Sequence, residues 1–354
     1  MIHKVINFLI MLILLTATAC QFRINDGENK LMLLPATYNL ENLNSKYDDY
    51  NLTAPPNYDQ GLSVVYSTKY NEHNEERGFD VYEGSIVFEI NRYGNDNNSY
   101  GNCSLKTSRG NAITYLNTIY NERGPIWISD DYRDSDSFKD DCSHFYFIST
   151  DRPTSNTDFV NDYNILGFYL DENRKCQQVN FAGNTEKYNE LYPCIDYARQ
   201  TIYFCNDKDG TYNIYSWTYN ADDKRKLVDI LQTEDILTNA AKLSINSDKN
   251  DECPYIFGDY LYFVSDRDGG KGGYDIYYCK INDNGTYGEV TSIGENINTE
   301  YNEYRVSGYS LGADKSTPDL IIYSSDRKYD RAKGGYDLYL SVLKEVEIKE
   351  NELF

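Results

Sequence analysis

Apolar residues in this chain fall in short, aromatic-rich runs, a pattern that favours strands over long Leu/Ala helices. One grammar recurs: an apolar strand, an acidic polar turn, then an aromatic with Asp or Asn leading into a second apolar strand. It is clearest in YFVSDRDGGKGGYDIYYCKI from Tyr262, IYSSDRKYDRAKGGYDLYLSVL from Ile322 and YFCNDKDGTYNIYSW from Tyr203. Looser copies start at Phe147 and Val65. A second element precedes each copy: LNSKYDD from Leu43, LNTIYNE from Leu116, GNTEKYNE from Gly183, INSDKNDE from Ile245 and INTEYNE from Ile297. Its markers are Asn44, Asn117, Asn184, Asn246 and Asn298. Two elements alternating in step are the mark of a repeat architecture.

The unit converts to four antiparallel strands. In the fourth copy these are an inner strand at Cys253 to Phe257, a second at Tyr260 to Ser265, a third at Tyr274 to Ile281 and a fourth around Glu289 to Ile293. The turns fall at Gly258-Asp259 and at Asn282 to Gly285. Four short antiparallel strands repeated radially make a β-propeller blade. The last copy ends after its third strand at about Leu343, and Leu31 to Leu40 reads as a fourth strand without a blade. Joining the two closes the ring and removes an open edge. The expected fold is therefore all-β, a five-bladed propeller closed by the N-terminal strand. The alternative is six blades, with a sixth copy in Arg92 to Ala112.

The run from Tyr262 to Glu303 carries Ser265-Asp266-Arg267, Gly272-Gly273-Tyr274-Asp275-Ile276-Tyr277 and Ile297-Asn298-Thr299. It resembles the WD40-like repeat called PD40, found in TolB-like propellers and in many bacterial envelope lipoproteins. The resemblance implies a propeller fold and an envelope compartment. Neither a peptidoglycan-binding domain nor a second domain of TolB type is recognisable beside the repeats, so TolB's own role is not carried over.

Composition narrows the chemistry. Tyr accounts for 36 of the 354 residues, and part of that excess is the repeat itself, since Tyr212, Tyr274 and Tyr336 occupy one position of the unit. The formal charge of -22 repels a phosphate backbone and argues against nucleic acid as partner. Only His3, His73 and His144 are present, which disfavours His-rich zinc sites and Ser-His-Asp hydrolases.

The opening MIHKVINFLIMLILLTATACQF has one early Lys, an apolar stretch too short to span a bilayer, and small residues before Cys20. Ala17-Thr18-Ala19-Cys20 is similar to the bacterial lipobox, which implies lipidation at Cys20. Gln21 follows in place of the Asp that retains such proteins on the inner membrane. The expected organisation is a signal peptide over 1–19, a lipidated tether over 20–30, one propeller over 31–345 and a charged tail over 346–354. The protein would sit at the bacterial envelope, at the outer membrane on either face, and touch the membrane only through its lipid. Seven cysteines are left, an odd number without a Cys-x-x-Cys pair. Cys194 and Cys205, on adjacent strands, are the pair best placed for a bridge, and buried free thiols are the alternative.

The repeated Asp151, Asp207, Asp266 and Asp326 each follow a second strand, where a short carboxylate accepts turn amides. That points to a conformational role. Asp266, Asp268 and Asp275 lie near glycines as calcium ligands do, but without the twelve-residue EF-hand pattern, so no cofactor is implied. Gly308 to Gly312 matches Gly-x-Ser-x-Gly, yet no His follows it in the chain. Glycoside hydrolysis needs two carboxylates in unlike environments, whereas the acids here repeat symmetrically. No catalytic residue is assigned. Departures from the repeat cluster in the connections from Lys69 to Arg77, Arg152 to Asp162 and Lys328 to Lys333. Tyr70, His73, Arg77, Phe159, Tyr329 and Arg331 are the expected binding rim. The function these features favour is a non-enzymatic module that binds or scaffolds another envelope protein. A glycan-binding propeller and a five-bladed glycoside hydrolase are the alternatives.

Overall fold

The computed structural model describes residues 19–20, 22–24, 31–53, 62–70, 78–93, 100–128, 145–152, 162–170, 173, 175–220, 227–311, 315–328 and 331–348. The alternating runs become five four-stranded antiparallel blades. Blade 1 holds Asp49–Thr53, Leu62–Thr68, Asp80–Tyr93 and Tyr100–Ala112, from the inside outward. Blade 2 holds Glu122–Ile128, Phe145–Thr150, Asn164–Leu170 and Cys176–Asn180. Blade 3 holds Glu190–Asp196, Thr201–Asn206, Asn213–Thr218 and Ala241–Lys242. Blade 4 holds Asp251–Phe257, Tyr260–Ser265, Asp275–Lys280 and Thr291–Ser292. Blade 5 holds Glu303–Tyr309, Leu320–Ser325 and Asp337–Val342, and its outer strand is Thr37–Asn39 from the opposite end of the chain.

That last pairing closes the ring in the register Tyr339↔Asn39, Leu340↔Tyr38 and Ser341↔Thr37. Inner strands of consecutive blades pack on one another around the circle, blade 5 on blade 1 included. Because each blade buries both faces, the core is a set of layers between neighbouring blades rather than one central mass.

The structure overturns the six-blade alternative. Arg92 to Ala112 is no separate copy; it lies within an extended hairpin formed by the two outer strands of blade 1. Only the second half of Leu31 to Leu40 joins blade 5. Leu31–Leu33 instead lies between Phe22–Ile24 and Val346–Ile348 in a separate three-stranded sheet, so a strand forms where a charged tail was expected. Between the third and outer strands of blade 3 the chain forms two short helices, Leu227–Thr233 and Ile236–Asn239, which the sequence reading missed. The apolar spacing of Leu227, Ile230 and Leu231 was their signal, and these side chains bury against Phe204 and Tyr215.

The repeated polar residues hold this ring together. Each marker Asn forms a two-point clamp on the third strand of the preceding blade. The Asn298 Oδ1 accepts the Ile276 N–H at 2.9 Å, and its Nδ2 donates to the Ile276 carbonyl at 2.9 Å. Asn44, Asn117, Asn184 and Asn246 do the same to Leu338, Val81, Ile165 and Ile214. The side-chain amide thus stands in for a backbone unit of a neighbouring strand. The next residue, Ser or Thr, donates its N–H and hydroxyl to the buried acid that opens the inner strand. These pairs are Ser45 with Asp49, Thr118 with Glu122, Thr185 with Glu190, Ser247 with Asp251 and Thr299 with Glu303.

The Asp after each second strand is likewise committed. Asp151, Asp207, Asp266 and Asp326 each accept the N–H and the side-chain amide of Asn121, Asn189, Asn250 and Asn302 respectively. In blade 1 the same contact is made with the charges exchanged, Lys69 Nζ donating to Asp48 at 2.6 Å.

Candidate binding site at the channel mouth

Every inner strand carries a bulge at the same place. The ladder register shifts after its second residue, and the third residue sits in the left-handed region: Asn51 (φ 58°), Gly124 (φ 59°), Tyr192 (φ 52°), Cys253 (φ 53°) and Arg305 (φ 46°). Only glycine adopts this conformation freely, so four blades hold a strained residue at the axis. Gly124 is required for a second reason, because a Cβ there would stand 2.6 Å from Arg305 Nη1. The Arg305 guanidinium crosses from blade 5 to lie 5.4 Å from the centre of the Tyr192 ring in blade 3. Its Nη2 donates to the Pro125 carbonyl of blade 2 at 3.4 Å. These contacts join non-neighbouring blades, so the channel is crossed at this level.

Above this waist two tiers of side chains surround the mouth. The outer tier is the aromatic of the repeat: Phe79, Tyr163, Tyr212, Tyr274 and Tyr336. Each is fixed by its N–H, which donates to the Asn or Asp that precedes the next blade's inner strand. The four tyrosines of this tier are half-buried. The inner tier is the second residue of each inner strand, Tyr50, Arg123, Leu191, Glu252 and Tyr304, and here the repeat is broken. Tyr50 packs against Tyr336, Phe79 and Tyr304, with ring centres 4.3, 5.4 and 5.8 Å away. Tyr304 packs on Tyr274 at 5.3 Å and reaches across the axis to Tyr192 at 6.1 Å. The Arg123 guanidinium lies 4.5 Å from the Phe79 ring centre and 5.2 Å from that of Tyr163. Glu252 is buried and accepts hydroxyl bonds from Tyr274 at 2.7 Å and from Tyr304. Burial pushes its carboxyl above the ordinary range, while the two phenols act in the opposite sense.

Two residues of the expected rim, Tyr70 and Arg331, fall among the described residues. His73, Arg77, Phe159 and Tyr329 lie outside the described residues. Tyr70 is turned into blade 1, where its ring packs on Tyr82 and beneath Arg109, whose guanidinium is 4.1 Å from the ring centre. Arg331 makes an exposed ion pair with Glu41 at 2.6 Å. Of the calcium candidates, Asp266 is held by Asn250, Asp268 is exposed, and Asp275 accepts the N–H groups of Lys271 and Gly272. Among the described residues no group of three His, Cys, Asp or Glu side chains could hold a metal ion. Ser310 of the Gly-x-Ser-x-Gly match donates to Asp319 at 3.1 Å just after the inner strand of blade 5, with no helix following.

The Cys194–Cys205 bridge is absent; both thiols are free and buried. The ladder register accounts for this, since Cys205 pairs with Leu191 and Cys194 with Tyr203, so the two cysteines are not opposite each other.

The inner tier lies within the repeat, not in the long connections where the binding rim was expected. Its signal was available in the residue after each opening acid, which reads Tyr, Arg, Leu, Glu, Tyr across the five copies. There a tightly kept motif varies in charge and size.

No protein-family model and no curated protein sequence matches the chain. Solved structures similar to it include TolB from Acinetobacter baumannii, at 11% identity and TM-score 0.39 over 94% of this chain and 64% of that one. Others are the sialidase of Trypanosoma rangeli (10%, TM-score 0.42, 84% of this chain and 44% of that one) and MPT-1, a GDP-Man-dependent mannosyltransferase from Leishmania mexicana (10%, TM-score 0.41, 89% and 90%). The chain spans less than two thirds of the length of the first two. At this level of similarity none of them assigns a function.

Proposed function

We propose that this chain is a non-enzymatic propeller that docks another protein on its channel mouth and is held at a bacterial envelope by a lipid on Cys20. The observation that carries the docking reading is the inner tier. Tyr and Arg set among apolar contacts are the composition of protein-binding hot spots. Hydrolysis of a glycosidic bond calls for two carboxyl groups about 5–10 Å apart in unlike environments. Glu252 is the single acid of the inner tier, and both its oxygens are held by phenols. Glycan binding draws on the half-buried tyrosine rings, but the inner tier offers no free planar acceptor for vicinal hydroxyls.

A photo-crosslinking residue at position 212, on the mouth, is expected to capture one protein, whereas the same residue at Asp283, on a turn between third and outer strands, captures none. The captured protein, once purified, is expected to titrate the isolated ring to a saturable one-to-one complex. Capture from position 283 alone, or no saturation, would place the function elsewhere.

The leader pattern before Cys20 supports the anchor. No helix of the described residues is long and apolar enough to cross a membrane. The parent chain is expected to partition with membranes and Cys20→Ser to appear in the soluble fraction. A Cys20→Ser chain that stays with membranes would refute the lipid.

A further inference from the structure

The charge balance makes two side chains conspicuous. The protein has 56 acidic and 34 basic residues, so a buried arginine should find an acid with ease. Arg152, Arg267 and Arg327 pair with Glu122, Asp251 and Glu303, Arg199 with Asp196 and Asp259, and Arg331 with Glu41. Arg109 donates to the Tyr66 hydroxyl and the Leu43 carbonyl. Arg305 and Arg123 differ. No acid among the described residues pairs with either. Arg305, whose buried Nη1 lacks a hydrogen-bond partner, spans the channel to the Tyr192 ring and the Pro125 carbonyl and forms its floor. Arg123, above that floor, has its Nε buried without a hydrogen-bond partner. It is held instead by the faces of Phe79 and Tyr163, and Tyr50, Tyr163, Tyr192 and Tyr304 lie close enough to interact with its charge. A guanidinium desolvated without a partner is costly, and placing it between two aromatic faces fixes its direction.

We propose that Arg123 is the seat for the C-terminal carboxylate of a partner protein chain, which enters the mouth end-on. This rests on the docking function proposed above and names its chemistry. Two observations select the occupant. The uncompensated charge calls for an anion, and a guanidinium presents paired N–H groups that match a carboxylate. The contacts of Arg305 with Tyr192 and Pro125 cross the channel below, so a ligand meets a floor, and a chain end fits where a through-running segment does not. The half-buried tyrosine rings of the outer tier offer the final side chain apolar faces. Glu252, beyond Leu191 from Arg123, has its oxygens occupied by the Tyr274 and Tyr304 hydroxyls and does not compete for the guanidinium.

The test uses acetyl-Gly-Ala-Leu-Leu with a free carboxylate, the same peptide as C-terminal amide, and glucuronate, each titrated into the full-length protein by calorimetry. The free acid is expected to bind at least tenfold more tightly than the amide, and added salt should narrow that gap. Arg123→Ala abolishes the difference and Arg123→Lys restores part of it. Because no acid among the described residues pairs with Arg123, neither variant strands a buried charge there, and its melting temperature is expected to stay near that of the parent, which separates loss of binding from loss of fold. Equal affinity for acid and amide, zero for both included, overturns the proposal. So does glucuronate binding more tightly than the peptide acid, which would also count against a protein partner. If a protein captured through position 212 binds Arg123→Ala as tightly as the parent, the carboxylate seat fails while docking at the mouth stands.

Discussion

A chain that begins at Glu41 is expected to lose its cooperative unfolding transition. Thr37–Asn39 supplies the whole outer strand of blade 5, and with it the Asn39 Nδ2 bond to Asp337 at 3.1 Å and the Thr37–Ser341 hydroxyl contact at 2.7 Å. The Leu40 N–H donates to the Leu338 carbonyl at 3.0 Å, and the Leu40 side chain is fully buried in the layer between blades 5 and 1. Removing these residues opens the ring at its one seam and exposes a strand edge beside Leu338 and Leu340. The total stability of a domain is about 5–15 kcal/mol, and the loss of a closing strand together with a buried leucine is of that order. Leu40→Ala isolates the side chain and should cost about 2–5 kcal/mol with the ladder intact. Denaturant unfolding followed by far-UV circular dichroism reads both. A truncated chain that melts like the parent would mean that the seam carries no stability.

The second large effect concerns the buried acids that open the inner strands. In blade 5 Arg327 and Glu303 are both nearly inaccessible. The Arg327 Nη2 donates to Glu303 and to the Ile297 carbonyl, both at 3.0 Å, while its Nε donates to Ser325 at 3.1 Å and its plane lies 4.7 Å from the Tyr339 ring centre. Arg327→Ala leaves Glu303 and a carbonyl without that partner, so a loss of about 3–5 kcal/mol is expected.

Blade 3 lacks this arginine. Lys208 lies over the Tyr215 ring, and Glu190 is bonded only by Thr185 and Asn206. Burial pushes the Glu190 carboxyl up to about 8, against about 7 for Glu122 and about 6 for Asp49. A carboxyl raised in the folded state binds its proton more tightly there than in the unfolded chain. Its stabilisation is therefore complete below its ordinary value and is lost as pH rises through the raised one. The melting temperature is thus expected to fall from about pH 5 to about pH 8, with the last unit belonging to Glu190. In Glu190→Gln the slope above about pH 7 disappears. A Glu190→Gln variant with the parent's slope there would remove Glu190 as its source.

Both effects draw on residues whose role was partly readable from the repeat. The second strand of blade 4, Tyr260–Ser265, has the bounds that the repeat predicts, because strand boundaries there are marked by Gly258-Asp259 and Asp266. Ring closure followed from a missing strand at one end and a spare one at the other. The two short helices and the extended hairpin of blade 1 escaped, because a repeat reveals insertions only as gaps.

The sequence by itself determined the blade and the polar skeleton, since these depend on local periodicity and on short contacts that recur five times, while the structure decided between five blades and six. Which acids and arginines are paired, which cysteines face each other and which residues meet at the axis depend on positions far apart in the chain. The register of the blade 3 ladder set Cys194 opposite Tyr203 and Cys205 opposite Leu191. Only closure of five blades brought Tyr50, Arg123, Leu191, Glu252 and Tyr304 into one mouth, because residues about one blade apart in sequence become neighbours when strands converge on a common axis. The same convergence left Arg123 between two aromatic rings without an acid, a fact that no reading of a single repeat contains.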